Sequence, residues 1–574
     1  MTTTTEATWE APGPGSWICD RSHTSASPTP LYRRIITEHT APTYREVFER
    51  FGGAIATIDM QFVNGDMYRR LVPLIGADHD KGKMPPRPLL WLVSRLHPAM
   101  RRRNRTATRV MDTRGFLADI DHWTTTERFE WIDANRALQD VDVAALDDAT
   151  LAAHLGDLDD QLVRGWHRHH ELHANDLGPI GDLLAHAQRW GLDPTATMGL
   201  LEGGSPATAA AAEHGRTMAD AVRQGGVDPA TVTTLEAIRA VPEGAAALDD
   251  YLGLFGWRLV SDYDIEGLTL HELPDAVCAI VRRAAAVSQS DADSGDGGHG
   301  DTEAAIEGRE GGSDLAQREA ELRAQADDPA LFDELIDSAR RAYGLRDDNG
   351  PLTWAWPAGL TRRAYLEAGR RLAASGRVDD PTHVFELDIP ELAALLEGAD
   401  APTSSEIVAR AEHRAWEATV RGPDVLGAPP VEPDTSALPS GLRRLMDVIL
   451  AATTMLEPER RSEPTALSGL GIGAAPYTGT ARVASDPAQA VAEMQPGDVL
   501  VAAWTAPSFN AVLSIAGGVV VQEGGLLCHA AVMARELGIP AIIGCNQAMT
   551  ELHSGDQVQV DPVAGEVRVL ARAG

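Results

Sequence analysis

The sequence predicts a multidomain protein in which a large, mainly α-helical region precedes a small C-terminal α/β unit. At 574 residues the chain is too long for one ordinary core, and roughly three to four domain-sized units fit that length. From Tyr44 to about Val281, and again from Leu315 through Arg371, apolar residues recur three and four positions apart, which lines one face of a helix. Beyond residue 465 the texture changes to short β-type runs separated by turn residues.

Composition narrows the function classes. Hydrophobic residues at 44% and charged residues at 23% are the balance of a globular protein. Fifty Lys and Arg against 84 Asp and Glu leave a formal charge of −34, a field that repels nucleic acid and anionic membranes. The basic island RRRNR, Arg101 to Arg105, is expected to be a solvated face. Four scattered cysteines (Cys19, Cys278, Cys528, Cys545) make neither a disulfide framework nor a zinc spacing. With no basic, apolar leader at the N-terminus and no run of membrane-spanning length, a cytoplasmic protein is expected.

In chain order, residues 1–30 are rich in Thr, Pro and Gly and predict an extended lead-in. Residues 31–440 predict the helical domain, interrupted at 288–314 by a Gly-, Ser- and Asp-rich stretch expected to be a flexible insertion. Within it, HVFELDIPELAALLEGA at 383–399 predicts a short strand followed by a capped helix. Residues 441–465 are expected to be a linker. From 466 to 574 the runs GTARVA, DVLVAA, GGVVVQ, PAIIG, DQVQV and GEVRVL predict strands, with a single helix after His529.

His529 lies between Gly524-Gly525 and the short helix predicted over Ala530–Leu537, which Gly538 and Pro540 end. An imidazole at a helix N-terminus sits where unpaired N–H groups and the positive end of the dipole favour an anion. The same field disfavours imidazolium and keeps a ring nitrogen nucleophilic. Arg535, farther along the helix, is expected to fold back toward a phosphate bound there, since helical side chains lean N-terminally. An ordinary surface arginine is the alternative.

Taken together, Gly524, Gly525, Cys528, His529, Ala534, Arg535, Glu536, Gly538, Ile539 and Pro540 resemble the swivelling phosphohistidine domain of the phosphoenolpyruvate-utilising enzymes. The likeness extends back through GLGIGAAPYTGTARV and PGDVLVAAWTAPSF and so covers residues 466–574. It implies a β/β/α fold, phosphorylation of His529 from ATP or phosphoenolpyruvate, and delivery to a second site by rotation of the domain. Gly524, Gly525, Cys528 and Arg535 would support the phosphate. Leu527 stands where pyruvate phosphate dikinases carry a regulatory threonine, so that control is not implied.

The helical part resembles the substrate domain of rifampin phosphotransferases and phosphoenolpyruvate synthase-like proteins at SPTPLYRRI, YLGLFGWRLVSDYDI, RRAYGLRDDNG and GRVDDPTHVFELDIPEL. It implies a small organic acceptor, an aromatic hydroxyl or an enol, with Arg340 and Arg341 as candidate contacts to the transferring group and a solvated helix face as the alternative for both. Trp354 and Trp356 are candidate stacking residues, with burial in the core as the alternative. No ATP-grasp segment is recognised, so ATP and Mg²⁺ are expected on a separate ATP-grasp subunit, an arrangement similar to phenylphosphate synthase. His169 and His173 in WHRHHELH lie one helical turn apart; lacking an obvious third ligand, they are expected not to form a metal site. A non-catalytic binding protein that retains the fold is the competing reading.

Overall fold

The computed structural model describes residues 7–573 apart from 22–26, 77–85, 205, 261, 294–309, 432–433, 455–466, 486–488, 491–492, 506–508 and 514. The chain forms two compact units. One comprises Met1–Asn175, Asp262–Gly267 and Asn349–Asp447; the other comprises Asp176–Ser261, Leu268–Asp348 and Val448–Gly574. The region expected to be one helical domain is therefore shared between them.

The first unit holds a sheet that the periodicity did not predict. Strand β1 (Ser16–Asp20) lies inside the expected lead-in, and β2 (Ile55–Val63), β3 (Asp66–Pro73) and β4 (Val425–Gly427) complete an antiparallel sheet of order β2-β3-β1-β4. The β2–β3 hairpin turns at Asn64 (φ 46°) and Gly65 (φ 87°). That is the pair a two-residue hairpin with two positive φ values demands. Trp17, Tyr68 and Leu426 pack on this sheet as a small satellite core.

Helix Pro30–Phe51 begins in the SPTPLYRRI segment, where Thr29 caps it by accepting from the Tyr32 amide. The Thr29 amide and hydroxyl both donate to the buried carboxyl of Asp264, at 2.6 and 2.7 Å. Ser27 in turn donates to Glu417 at 2.8 Å. Segments distant in sequence are thus stapled to the start of one helix.

Three expectations are corrected here. Residues Pro381–Glu386, expected as a strand, are a 3₁₀ turn, although the capped helix follows as Ile389–Glu397 with Asp388 and Glu391 forming its capping box. Asp380 and Pro381 open the turn, with the Asp380 carboxylate accepting from the Thr382 amide, and a local bond of this kind competes with strand pairing. The basic island lies on helix Pro98–Thr113; Arg101, Arg102 and Arg105 are exposed, but Arg103 is 2% exposed. Part of the expected linker is helical, since Ser440–Thr454 form a helix with Leu442, Leu445, Val448 and Ala452 buried on one face. Residues 455–465 of that linker, and 294–309 of the expected insertion, lie outside the described residues. The flanks of the insertion are helical, Pro274–Asp293 and Glu310–Gln325.

The second unit carries the predicted C-terminal strands. β5 (Leu470–Ile472), β6 (Tyr477–Ala484), β7 (Val499–Ala502), β8 (Gly518–Val521), β9 (Ala541–Ile543), β10 (Gln557–Asp561) and β11 (Glu566–Ala571) form a sheet of order β11-β10-β6-β7-β8-β9-β5. β6 through β9 pair in parallel, while β5, β10 and β11 are antiparallel to their neighbours. Successive side chains of a strand point to opposite faces. Leu500, Val519, Val521 and Ile543 therefore meet Ala530, Ala531 and Ala534 of helix His529–Leu537, and Val499, Val501, Val520 and Ile542 join Val558 and Val560 in a second core. Burial on both faces explains why the central runs are almost wholly apolar. Among the described residues no helix is long and apolar enough to cross a membrane.

Candidate functional site

The site grows from the exit of β8. After Val521 the chain turns through Glu523-Gly524-Gly525 and enters helix His529–Leu537, with Cys528 at the N-cap position. Gly524 has φ +118°, and a Cβ placed there would stand 2.8 Å from Cys528 Sγ, so the turn needs glycine on both conformational and steric grounds. The Cys528 amide donates to the Gly525 carbonyl at 3.0 Å, which closes the loop directly before the histidine. Gly538, at φ 63° in the left-handed region, ends the helix, and the Ile539 amide donates to the Ala534 carbonyl.

His529 is half-buried at the first helical position. Its Nδ1 shares a hydrogen bond of 3.0 Å with the hydroxyl of Thr505, which follows β7 on the next parallel strand. This was not foreseen. Thr505 lies within the segment PGDVLVAAWTAPSF, but only the parallel pairing of β7 and β8 brings the two strand exits together. Residues 506–508 of that segment lie outside the described residues.

Cys528, half-buried and outside any disulfide, stands at the N-cap position without a side-chain capping bond. Arg535 leans toward the helix N-terminus as expected, yet what it reaches is backbone. Its Nη1 donates to the Leu526 carbonyl at 2.7 Å, and the residue is 6% exposed. The guanidinium thus braces the loop from behind.

The remaining candidates are placed elsewhere. Arg340, on helix Pro329–Gly350, donates to the Leu200 carbonyl at 3.1 Å and pairs with Glu319 at 2.6 Å; Arg341 pairs with Asp337 one turn before it. Trp354 and Trp356 belong to the core. They are 5% and 0% exposed, and their indoles donate to the Tyr263 carbonyl and to Gln139. The cause is close packing of the π-helical turn Pro351–Ala355 against helix Asp148–Trp190, where a Cβ on Gly165 would lie 1.8 Å from the Thr353 carbonyl oxygen. His169 and His173 approach each other Nε2 to Nε2 at 3.0 Å, and among the described residues no group of three or more potential ligands forms around any metal position.

One feature of the first unit escaped the sequence reading. A cleft of about 1300 Å³ lies where Pro30, Arg33 and Arg34 of SPTPLYRRI meet Glu386 and Asp388 of HVFELDIPEL. Its arginines are held in ion pairs, Arg34 with Asp388 at 2.6 Å, Arg410 with Glu391 at 2.8 Å and Arg414 with Glu386 at 2.6 Å. Arg33 is paired with Glu417, whose carboxyl lies below its usual range through that guanidinium and the Ser27 hydroxyl, in spite of burial. Segments that carried the family likeness, far apart in sequence, therefore share one cleft.

Residues 494–565 match the family model described as the PEP-utilising enzyme mobile domain. The chain is 27% identical over 346 residues to a rifampicin phosphotransferase of Streptomyces sp, which covers 59% of this chain and 36% of that protein. It is 28% identical over 251 residues to the uncharacterized phosphotransferase YvkC of Bacillus subtilis, covering 43% and 28%. With a phosphoenolpyruvate synthase of Deinococcus radiodurans it shares 41% identity over 100 residues, 17% of this chain and 13% of that one. The chain thus spans between 13% and 36% of the length of these curated relatives. Among solved structures, the NMR structure of Enzyme I matches at 15% identity over 47% of this chain and 69% of that one, with a TM-score of 0.14. Residues 494–565 thus resemble the mobile domain of the PEP-utilising enzymes, and the relatives that the chain is similar to include phosphotransferases and a phosphoenolpyruvate synthase.

Proposed function

We propose that the protein is a phosphotransferase component in which His529 carries a phosphoryl group between two sites. The reading rests chiefly on the half-buried imidazole at a helix N-terminus whose Nδ1 is engaged by Thr505. In the tautomer in which Nδ1–H donates to the Thr505 hydroxyl, Nε2 carries the lone pair and is the attacking atom. Its lone pair forms the N–P bond as the P–O bond to the leaving group breaks, and the amides of the first helical turn favour the charge delivered there.

The donor is ATP bound with Mg²⁺ on a separate ATP-grasp subunit, or phosphoenolpyruvate. If ATP serves, attack at the β-phosphorus releases AMP, and water then cleaves the γ-phosphate from the pyrophosphorylated imidazole, which gives the AMP and phosphate that the family likeness implies as by-products. In the return step an acceptor hydroxyl or enolate oxygen attacks phosphorus, the P–N bond breaks, and the imidazole recovers its electron pair. The domain moves between donor and acceptor by rotation. The acceptor is a small organic molecule bound by the helical region, and the cleft beside Arg33, Arg34 and Asp388 is the first place to test, because the family-like segments meet there.

Incubation with β-labelled ATP and an ATP-binding partner chain, or with labelled phosphoenolpyruvate, tests the reading. An acid-labile, base-stable label is expected on wild type and absent from His529→Ala. Equal labelling of the two proteins would overturn it.

A further inference from the structure

Helix Arg87–Leu96 of the first unit, RPLLWLVSRL, is held from one side. Ser94 is fully buried there. The turn Thr435–Ala437 grips both ends: Arg87 donates to the Ser436 hydroxyl at 2.6 Å and pairs with Asp434 at 2.8 Å, and Arg95 Nη1 donates to the Ala437 carbonyl at 2.9 Å. By the helical repeat, Leu89, Leu92 and Leu96 fall within about 60° of one another and opposite Ser94. They are 50%, 45% and 65% exposed, and Trp91 beside them is 51% exposed. The Arg95 guanidinium lies over the Trp91 ring, 4.5 Å from its centre, at the margin of this stripe. The charge around it has one sign. From Arg87 to Met111 the sequence carries seven arginines and no Asp or Glu, in a chain of formal charge −34. Arg101, Arg102 and Arg105 are exposed on helix Pro98–Thr113, which follows directly and packs against the first; Asp434 and Glu49 offset part of the charge from outside the segment.

We propose that this face docks the protein on an anionic lipid surface, with helix Arg87–Leu96 lying in the plane of the headgroups. Leu89, Leu92 and Leu96 enter the boundary between headgroups and acyl chains, about 5–10 Å deep, and Trp91 sits at the polar level. Arg95 and the arginines of the next helix meet the lipid phosphates. Size decides between a bilayer and a second protein. Four half-exposed side chains present roughly 300–400 Å² of apolar surface, half of the about 800 Å² per partner that a stable protein interface buries. An interfacial helix needs no more than that when charge assists it. The net charge of the chain does not forbid the contact, because carboxylates farther than about 8 Å from the bilayer are screened at physiological salt and the local sign governs. Docking of this kind needs no membrane-spanning helix, and none is present among the described residues. The proposal is independent of the carrier reading.

The test mixes the full-length chain with vesicles of equal parts phosphatidylglycerol and phosphatidylcholine, or of phosphatidylcholine alone, and reads the protein that sediments with them. At about 50 mM salt, binding to the anionic vesicles is expected to exceed binding to the neutral ones by about tenfold or more, and to fall severalfold at about 500 mM. Leu92→Glu is expected to lose about tenfold or more of that binding with an unchanged melting temperature. Leu570→Glu, at a position 56% exposed in the other unit, is expected to keep it. The double variant Arg101→Glu, Arg105→Glu is expected to bind more weakly and with a flatter salt dependence. Lipids brominated near the headgroup are expected to quench part of the tryptophan emission, a part that Trp91→Phe lacks. No sedimentation with anionic vesicles, equal sedimentation with neutral ones, or wild-type binding by Leu92→Glu would each overturn the proposal. Capture on immobilised polyglutamate without vesicle binding would make the face a site for an acidic protein and overturn it likewise.

Discussion

Thr505 Oγ1 and His529 Nδ1 stand 3.0 Å apart, joined across the exits of two parallel strands. The bond ties the ring to the exit of β7, and in the proposed carrier role it leaves Nε2 to face a donor. Thr505→Val keeps the branched shape and removes the hydroxyl. Labelling of His529 is expected to slow by about tenfold, the worth of one such bond, and Thr505→Ser is expected to restore most of it. Proton–nitrogen correlation spectra of the imidazole supply the independent check, since the tautomer ratio shifts in the valine variant and not in the serine one.

Gly524 offers a second, steric test. With φ at +118° and only 2.8 Å between a new Cβ and Cys528 Sγ, Gly524→Ala strains both turn and cap. A loss of about 1–3 kcal/mol is expected, read as a lower urea midpoint. Cys528→Ala in the same chain removes the Sγ contact but leaves the residue 528 Cβ at 3.0 Å and the positive φ, so it is expected to recover part of the loss. Full recovery would mean that sterics alone require the glycine.

How much of this was legible in the sequence follows from the range of the forces involved. The strands beyond 466 and the histidine helix announced themselves because turn residues punctuate them and Gly538 stops the helix, all local effects. The N-terminal sheet did not, although Asn64-Gly65 is a strong hairpin signal, because a three- and four-residue spacing on either side dominated the window. β1 pairs with β3 and β4 across long loops, and Ser16–Asp20 alone carries no sign of that. For the site, His529 was legible from its flanking pattern. Thr505 was not, since only strand pairing brings it beside the histidine. Trp354 was misleading for a related reason: its indole looked like a ligand platform, but a close helix contact at Gly165 buries it.

Arg340 now has a structural account that predicts little chemistry. Its partners are Glu319 and the Leu200 carbonyl. Arg340→Ala and Glu319→Ala are each expected to cost about 1 kcal/mol or less, as partly exposed pairs do, and to lower the urea midpoint alike. Labelling of His529 is expected to be wild type in both. A defect in transfer to an acceptor confined to the Arg340 variant would return this residue to the acceptor site.

Asp264 makes stability depend on pH in a direction opposite to most carboxylates. It is fully buried beside Asp262, and desolvation pushes its pKa from 3.8 up to about 7, although the Thr29 amide and hydroxyl and the Ile265 amide donate to it. A folded-state pKa above the unfolded one means that the native state holds the extra proton. The stabilising contribution is complete below pH 3.8, declines between there and about 7, and is gone above. Wild type is therefore expected to lose melting temperature as pH rises from 5 to about 8 by a component that Asp264→Asn lacks. The carboxamide introduced by Asp264→Asn leaves an N–H facing donors and so lowers stability at every pH, which makes the slope, and not the absolute melting temperature, the quantity that decides. Parallel profiles for the two proteins would show that Asp264 keeps one protonation state across this range.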